Sequence, residues 1–154
     1  MAQAPNILVI EARFYDEIAD DLLAGTKRVL EAANAKFEVL TVPGILELPA
    51  AASFAFHPSR RLSQTGGGQR YDGVVVLGCA VKGETDHYEH VCRESMSGVQ
   101  RVALDFSVPC GNGILTVPTW ELAQHRADPE RGDAGGRAAK ACLRMIALKR
   151  DFGL

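Results

Sequence analysis

The chain has 154 residues, of which 47% are hydrophobic and 23% charged, and its formal net charge is −2 at pH 7. This length suits one compact domain over residues 1–154 with a proper hydrophobic core. A pI near 6.1 without any basic block is not typical of a nucleic-acid-binding protein. No apolar run approaches the ~18–20 residues of a membrane span, and Met1–Gln3 does not open a secretory signal. We therefore expect no membrane association and a cytoplasmic location.

The four cysteines, Cys79, Cys92, Cys110 and Cys142, are widely spaced and form no CxxC pair. Each falls within or beside an apolar run. In a chain without an export signal, this pattern favours small buried thiols over a disulfide framework or a zinc site.

The first half of the chain alternates apolar runs with helical patterns. Asn6–Ile10 predicts a buried strand, and a helix follows from an N-cap at Asp16 to a stop at Asn34. Phe37–Val42 predicts a second strand and Glu47–Phe54 a short helix. The polar residues 57–70, with their triple glycine, predict a flexible surface loop. A phosphate loop there would need a preceding strand and a following Gly-Lys-Ser/Thr, and the sequence has neither.

The central stretch of the sequence is Gly73–Val91. Val74–Leu77 is a continuous apolar run, which is typical of a parallel strand buried on both faces. A sharp turn is predicted over Gly78–Gly83, and a helix with an apolar face begins at Glu84–His87. Because free N–H groups and the helix dipole at such a position favour an anion, this segment is the best candidate site.

The second half continues the alternation. Val108–Val117 predicts a fourth strand, and Pro118 begins a short helix to about Ala127. A breaker-rich connection, Asp128–Gly136, precedes a last amphipathic helix that carries Ala138 and Ile146 inward. Strands alternating with helices predict an α/β fold: a flavodoxin-like three-layer α/β/α sandwich with a four-stranded parallel sheet.

Ligand-binding residues should gather on the loops that follow the strands. Five motifs at or near those loops together resemble the lumazine synthase (6,7-dimethyl-8-ribityllumazine synthase) family: Ala12–Phe14, Val42–Pro49, Leu77–His87, Gly113–Thr116 and Gln124–Arg126. The GxTxH pattern that ends the third motif is the most specific of the five.

The resemblance implies a transferase of riboflavin biosynthesis that works without a metal or an organic cofactor. Its reaction condenses 5-amino-6-(D-ribitylamino)uracil with 3,4-dihydroxy-2-butanone 4-phosphate to 6,7-dimethyl-8-ribityllumazine. The resemblance also implies a homo-oligomer whose pocket is shared between subunits, with a pentamer as the minimum unit. A decamer and a sixty-subunit icosahedral shell are the larger assemblies that the resemblance also allows.

The resemblance assigns roles to particular side chains. His87 would be the general acid/base, a role typically worth ~10²–10⁴ in rate. Glu84 and Thr85 would hold the phosphate together with Arg126 from a neighbouring subunit. Phe14 would stack on the pyrimidine ring.

Further substrate contacts are implied at three other places. Backbone groups of Ala80 and Val81 would read the edge of the ring, and Ile45–Glu47 would hold the ribityl chain. Asn112 stands on the fourth strand, where many members of the family carry an aromatic residue.

Each of these residues also has a simpler interpretation. His87 could be a surface histidine, or could chelate a metal with His90, although no third ligand is suitably spaced. Arg126 could be a solvated helix charge, Phe14 a core residue, and Glu47 a charge at a helix start.

Three residues depart from the family pattern: Tyr15, Asn112 and Ala134. They motivate an alternative function, a weakly catalytic flavin- or lumazine-binding protein or a shell-forming assembly protein. A receiver module of the same fold would need an acidic cluster after the first strand, where Glu11 stands alone.

Overall fold

The computed structural model describes residues 3–59 and 70–154. Within those ranges the strands are β1 (Asn6–Ala12), β2 (Lys36–Val42), β3 (Gly73–Val81) and β4 (Cys110–Val117). The helices are α1 (Asp16–Ala32), α2 (Leu48–Phe56), α3 (His87–Asp105), α4 (Trp120–Ala127) and α5 (Ala134–Asp151), and a 3-10 turn at Ile45–Glu47 precedes α2. The predicted loop at residues 57–70 lies largely outside the described residues.

The four strands form one parallel sheet in the order β2-β1-β3-β4. The two inner strands, β1 and β3, are almost completely buried, as their continuous apolar runs predict. This confirms the predicted α/β fold and places the carboxyl ends of all four strands at one edge of the sheet.

Helices cover both faces of the sheet and create two hydrophobic cores. One core joins one sheet face to α1, α4 and α5, and includes Ile18, Ala123 and Cys142. The other joins the opposite face to α2 and α3, and includes Ala52 and Val99. The predicted three-layer arrangement is therefore confirmed.

The predicted turn at Gly78–Gly83 is wrong for its first four residues, because β3 continues to Val81. The extension follows from pairing with β4, since the ladder runs from Gly78 opposite Ile114 to Val81 opposite Val117. Gly78 is needed for close packing: a Cβ atom there would lie 2.5 Å from the Ile45 Cγ2.

The ends of α1 also refine the prediction. Tyr15, rather than Asp16, is the N-cap, and its side chain makes no capping hydrogen bond. Asn34 does end the helix, as predicted, by adopting a φ of 55°. Its N–H donates to the Glu31 carbonyl while the N–H of Ala35 donates to that of Leu30, the pair of bonds of a Schellman motif.

Within the described residues, none of the helices combines the length and apolarity needed to cross a bilayer. All four cysteines are free thiols, with Cys79 and Cys142 buried and Cys92 and Cys110 half-buried.

Candidate active site

A cleft of about 440 Å³ opens at the carboxyl ends of the strands, within the size range of small-molecule sites. Four segments enclose it: the β1–α1 loop, the segment after β2, the end of β3, and the start of α3. The lining residues are Phe14, Tyr15, Pro43, Gly44, Ile45, Leu46, Glu47, Cys79, Ala80, Val81, Gly83, Thr85, His87, Tyr88 and Val91. Three of the resemblance motifs thus meet in one place.

The first wall is an aromatic side chain on a rigid loop. Phe14 is 73% exposed, so it is not the core residue that a simpler interpretation allowed. The Arg13 guanidinium holds the loop from behind by donating to the Glu11 carboxylate at 2.9 Å and to the Asp16 carboxylate at 3.0 Å. A further bond to Asp20, together with these, raises the pKa of Arg13 above its ordinary value.

The opposite wall is the 3-10 turn Ile45–Glu47. Ile45 is buried against the sheet, whereas Leu46 is 52% exposed and Glu47 is exposed. An apolar side chain and a carboxylate therefore face the same space. This pair suits a ligand that has both an apolar ring and a hydroxylated chain.

The end of β3 forms the floor of the cleft through Cys79, Ala80 and Val81. Burial raises the pKa of the Cys79 thiol to about 12. A thiol that stays protonated at neutral pH is a poor nucleophile, so Cys79 acts as an apolar floor residue. Ala80 and Val81 are half-buried, which leaves part of each accessible from the cleft.

The start of α3 places an imidazole at the rim. α3 begins at His87, whose N–H lies 3.3 Å from the Thr85 hydroxyl oxygen that accepts its hydrogen bond. His87 is exposed, and among the described residues its imidazole has no hydrogen-bond partner, so it is free to engage a ligand. His90, one turn further along, is exposed and does not line the cleft.

Positive charge is missing from the described lining of the cleft. Among the described residues that line it, none is a lysine or an arginine. A phosphate group bound in such a cleft would need a cation from elsewhere, because an unpaired buried dianion is costly.

Comparisons with known proteins agree with the motifs. The sequence pattern of the family described as 6,7-dimethyl-8-ribityllumazine synthase matches residues 4–150. The chain belongs to this family. It is 48% identical over 149 residues to the 6,7-dimethyl-8-ribityllumazine synthase of Paramagnetospirillum magneticum, covering 97% of each chain.

Two further relatives give the same result. A Rhizobium meliloti protein named 6,7-dimethyl-8-ribityllumazine synthase 1 is 46% identical, over 96% of this chain and 94% of its own. The 6,7-dimethyl-8-ribityllumazine synthase of Agrobacterium fabrum is also 46% identical, over 97% of each chain. The resemblance inferred from the five motifs is confirmed.

Three residues that the lumazine synthase resemblance singles out do not line this cleft. Glu84 is exposed in the turn just before Thr85. Asn112 pairs with Val76, three residues before the first floor residue, Cys79, which puts it ~10 Å along the strand from the cleft at ~3.3 Å per residue. Arg126 lies six residues into α4, ~9 Å along the helix from its start.

Both distant side chains are exposed, although the Asn112 amide oxygen accepts a hydrogen bond from the Ile114 N–H at 3.0 Å. Arg126 is exposed, and it makes no ion pair with any residue that the structure describes. Asn112 is exposed, with its amide 3.5 Å from the Met96 sulfur. Neither side chain is committed to the core of its own chain.

Sequence reasoning places Tyr15 and Cys79 on predicted ligand-binding loops without an individual role, and assigns no cleft role to Tyr88 and Val91. Tyr88 and Val91 were assigned to the apolar face of a helix, and that face continues into the cleft at the helix start. Burial raises the pKa of the Tyr88 hydroxyl, with the nearby Cys92 adding to the shift, so the phenol stays protonated at neutral pH.

Proposed function

We propose that this protein is a transferase that condenses 5-amino-6-(D-ribitylamino)uracil with 3,4-dihydroxy-2-butanone 4-phosphate to 6,7-dimethyl-8-ribityllumazine. Family membership over residues 4–150 carries the proposal. The cleft supports it, because an exposed aromatic ring, an exposed carboxylate and an imidazole face one cavity of about 440 Å³.

The aminouracil would bind against the aromatic wall of the cleft. Its pyrimidine ring would stack on Phe14, which is the most exposed aromatic residue of the lining at 73%. Backbone groups of Ala80 and Val81, at the end of β3, would bond to the polar edge of the ring. The ribityl chain would lie along Ile45–Glu47, with the Glu47 carboxylate accepting hydrogen bonds from hydroxyl groups.

The ketone phosphate would lie at the start of α3. The amine attacks the carbonyl and water leaves to give a Schiff base, and phosphate is then eliminated. The resulting enol becomes a second carbonyl, and the ribitylamino nitrogen closes the ring on it with loss of a second water. Each step moves a proton, and His87 places in the cleft an imidazole, the side chain most often used for proton transfer near neutral pH. The Thr85 hydroxyl and the N–H groups around Glu84 would receive the phosphate oxygens.

The missing cation would come from a neighbouring subunit. The cleft has no lysine or arginine of its own among its described lining residues, while Arg126 projects from α4 without an ion-pair partner in the described chain. Arg126 of one subunit serving the cleft of the next is a heterologous contact, which generates a ring when its rotation closes. Asn112 would reach a neighbour's cleft in the same way. We infer a pentamer as the minimum unit.

The alternative of a weakly catalytic flavin-binding or shell-forming protein is not favoured. Relatives at 46–48% identity carry the name of the synthase. Since a phosphorylated substrate does not cross membranes unaided, we infer that the reaction takes place in the cytoplasm.

A direct assay tests the proposal. Protein of known oligomeric size is mixed with both substrates while lumazine absorbance and released phosphate are followed together. The proposal requires both products to appear in equal amounts. Riboflavin binding without turnover would instead favour the flavin-binding alternative.

A further inference from the structure

Two aromatic residues close to Phe14, Tyr15 and Trp120, have no part in the proposed reaction. Tyr15 departs from the family pattern, and Trp120 lies at the start of α4. The structure connects both to Phe14: the Phe14 and Tyr15 rings are 4.9 Å apart at 81°, and the Tyr15 and Trp120 rings are 5.3 Å apart at 70°. Three rings thus run in series from the open cleft towards the protein.

The solvent exposure of the side chains falls from Phe14 to Tyr15 and Trp120. Phe14 is 73% exposed, whereas Tyr15 and Trp120 are half-buried and pack against the core. An exposed phenylalanine without a neighbour samples several rotamers, and a ligand that stacks on it must immobilise the ring. An edge-to-face contact removes part of that freedom before the ligand arrives.

The support beneath the series is rigid. Tyr15 caps α1, and its carbonyl accepts a hydrogen bond from the Ala19 N–H at 2.9 Å. The Arg13 guanidinium holds the loop that carries Phe14 and Tyr15 by donating hydrogen bonds to Glu11 before the loop and Asp16 after it. A perpendicular contact occupies at most one face of Phe14, so at least one face stays open to a planar ligand.

We propose that Tyr15 is a positioning residue that holds the Phe14 ring in the orientation on which a planar heteroaromatic ring stacks, with Trp120 buttressing Tyr15. The identity of that ring as the aminouracil rests on the proposed function. The ring contacts of Tyr15 are with Phe14 and Trp120, so its effect should fall on the binding of the substrate that stacks on Phe14.

An aromatic pair of this geometry is worth about two- to tenfold in an equilibrium constant. Tyr15→Ala should therefore raise the KM for the aminouracil by about two- to tenfold, with kcat and the KM for the ketone phosphate within about twofold of wild type. Tyr15→Phe keeps the ring and should restore wild-type KM. Tyr15→Leu keeps apolar packing without a ring, so it tests the loss of the ring even if Tyr15→Ala folds badly. It should also raise the KM for the aminouracil about two- to tenfold.

A double-mutant cycle separates positioning from general damage. If Tyr15 acts through Phe14, Tyr15→Ala adds nothing to the KM of Phe14→Ala. Additive effects, or a Tyr15→Phe variant as impaired as Tyr15→Ala, would overturn the proposal. Phe152→Ala is the matched control, because it removes an equally exposed ring (74%) outside the cleft.

A binding measurement keeps this test independent of turnover. Riboflavin, a planar heteroaromatic probe, is titrated by its fluorescence into the same variants. Tyr15→Ala should weaken binding about two- to tenfold, and only where Phe14 is intact. If riboflavin binds equally to wild type and Tyr15→Ala, the positioning role of Tyr15 is wrong even when lumazine is formed. If riboflavin binding depends on both the Phe14 and Tyr15 rings while no lumazine forms, the positioning role stands and the proposed reaction is wrong. Absence of both binding and turnover in the wild type would overturn both.

Discussion

Substitution of Gly78 by alanine tests whether close packing of β3 against Ile45 sets the position of the 3-10 turn that lines the cleft. It lies in β3 directly beneath the 3-10 turn, and a Cβ added there would meet the Ile45 Cγ2 at 2.5 Å, the Ala12 Cβ at 3.3 Å and the Leu48 Cδ1 at 3.5 Å. Ordinary contacts between carbon atoms are ~3.5–4.0 Å, so Gly78→Ala must displace Ile45 by ~1 Å or more. Ile45 is only 4% exposed and has little room to rotate away.

The size of the effect follows from this displacement. Overpacking of a core costs ~1–3 kcal/mol, which for a chain of this length lowers Tm by about 2–12 °C. Because Ile45 carries Leu46 and Glu47 with it, the wall proposed for the ribityl chain moves outward. We therefore expect a raised KM for the aminouracil as well as a lower Tm.

Calorimetry and steady-state kinetics on Gly78→Ala measure both effects. Gly83→Ala is the matched control for stability, because a Cβ there has nothing within 4 Å, and its Tm should stay within ~1 °C of wild type. A Gly78→Ala variant with wild-type Tm and wild-type KM would refute the packing argument and the position of the Ile45–Glu47 wall.

Three further predictions concern groups in and beneath the cleft. His87→Ala should lower kcat by ~10²–10⁴, as loss of a general acid/base does, whereas His90→Ala, one turn along the same helix and outside the cleft, should keep wild-type kcat; equal losses would remove His87 from its role. Arg13→Ala leaves the Glu11 carboxylate, only 3% exposed, without its ionic partner. It should cost up to ~3–5 kcal/mol in urea unfolding, and an unchanged midpoint would show that the pair does not hold the loop. Because burial raises the pKa of Cys79 from 9.0 to about 12, its contribution to stability is complete below pH 9 and falls as the pH rises towards 12. The native thiol should resist iodoacetamide at neutral pH, and rapid labelling would contradict its burial.

Much of the fold is readable from the sequence because the relevant forces are local. The continuous apolar run Val74–Leu77 identifies the central strand, since only a strand covered on both faces tolerates it in a water-soluble sheet. Asn34 marks a helix end because its φ of 55° suits few residue types. The sequence does not reveal where β3 ends, because pairing with Ile114–Val117 of β4 outweighs the local preference of Gly78 for a turn.

Some residues of the site are likewise predictable from the sequence, and others are not. Phe14, Ile45–Glu47 and His87 follow strand ends, so topology alone brings them together in the cleft. The contact between Tyr15 and Trp120 joins residues far apart in sequence, and no periodicity reveals it. Arg126 cannot be placed at a cleft from one chain, because its proposed site belongs to the next subunit.

Subunit mixing tests the shared cleft most directly. His87→Ala and Arg126→Ala chains, each inactive alone, are unfolded together in equal amounts and reassembled. In a ring whose clefts take His87 from one chain and Arg126 from the next, about one quarter of the sites receive both intact residues, so the mixture should recover about a quarter of wild-type lumazine synthesis. Activity no greater than that of the separate variants would contradict a cleft built by two subunits.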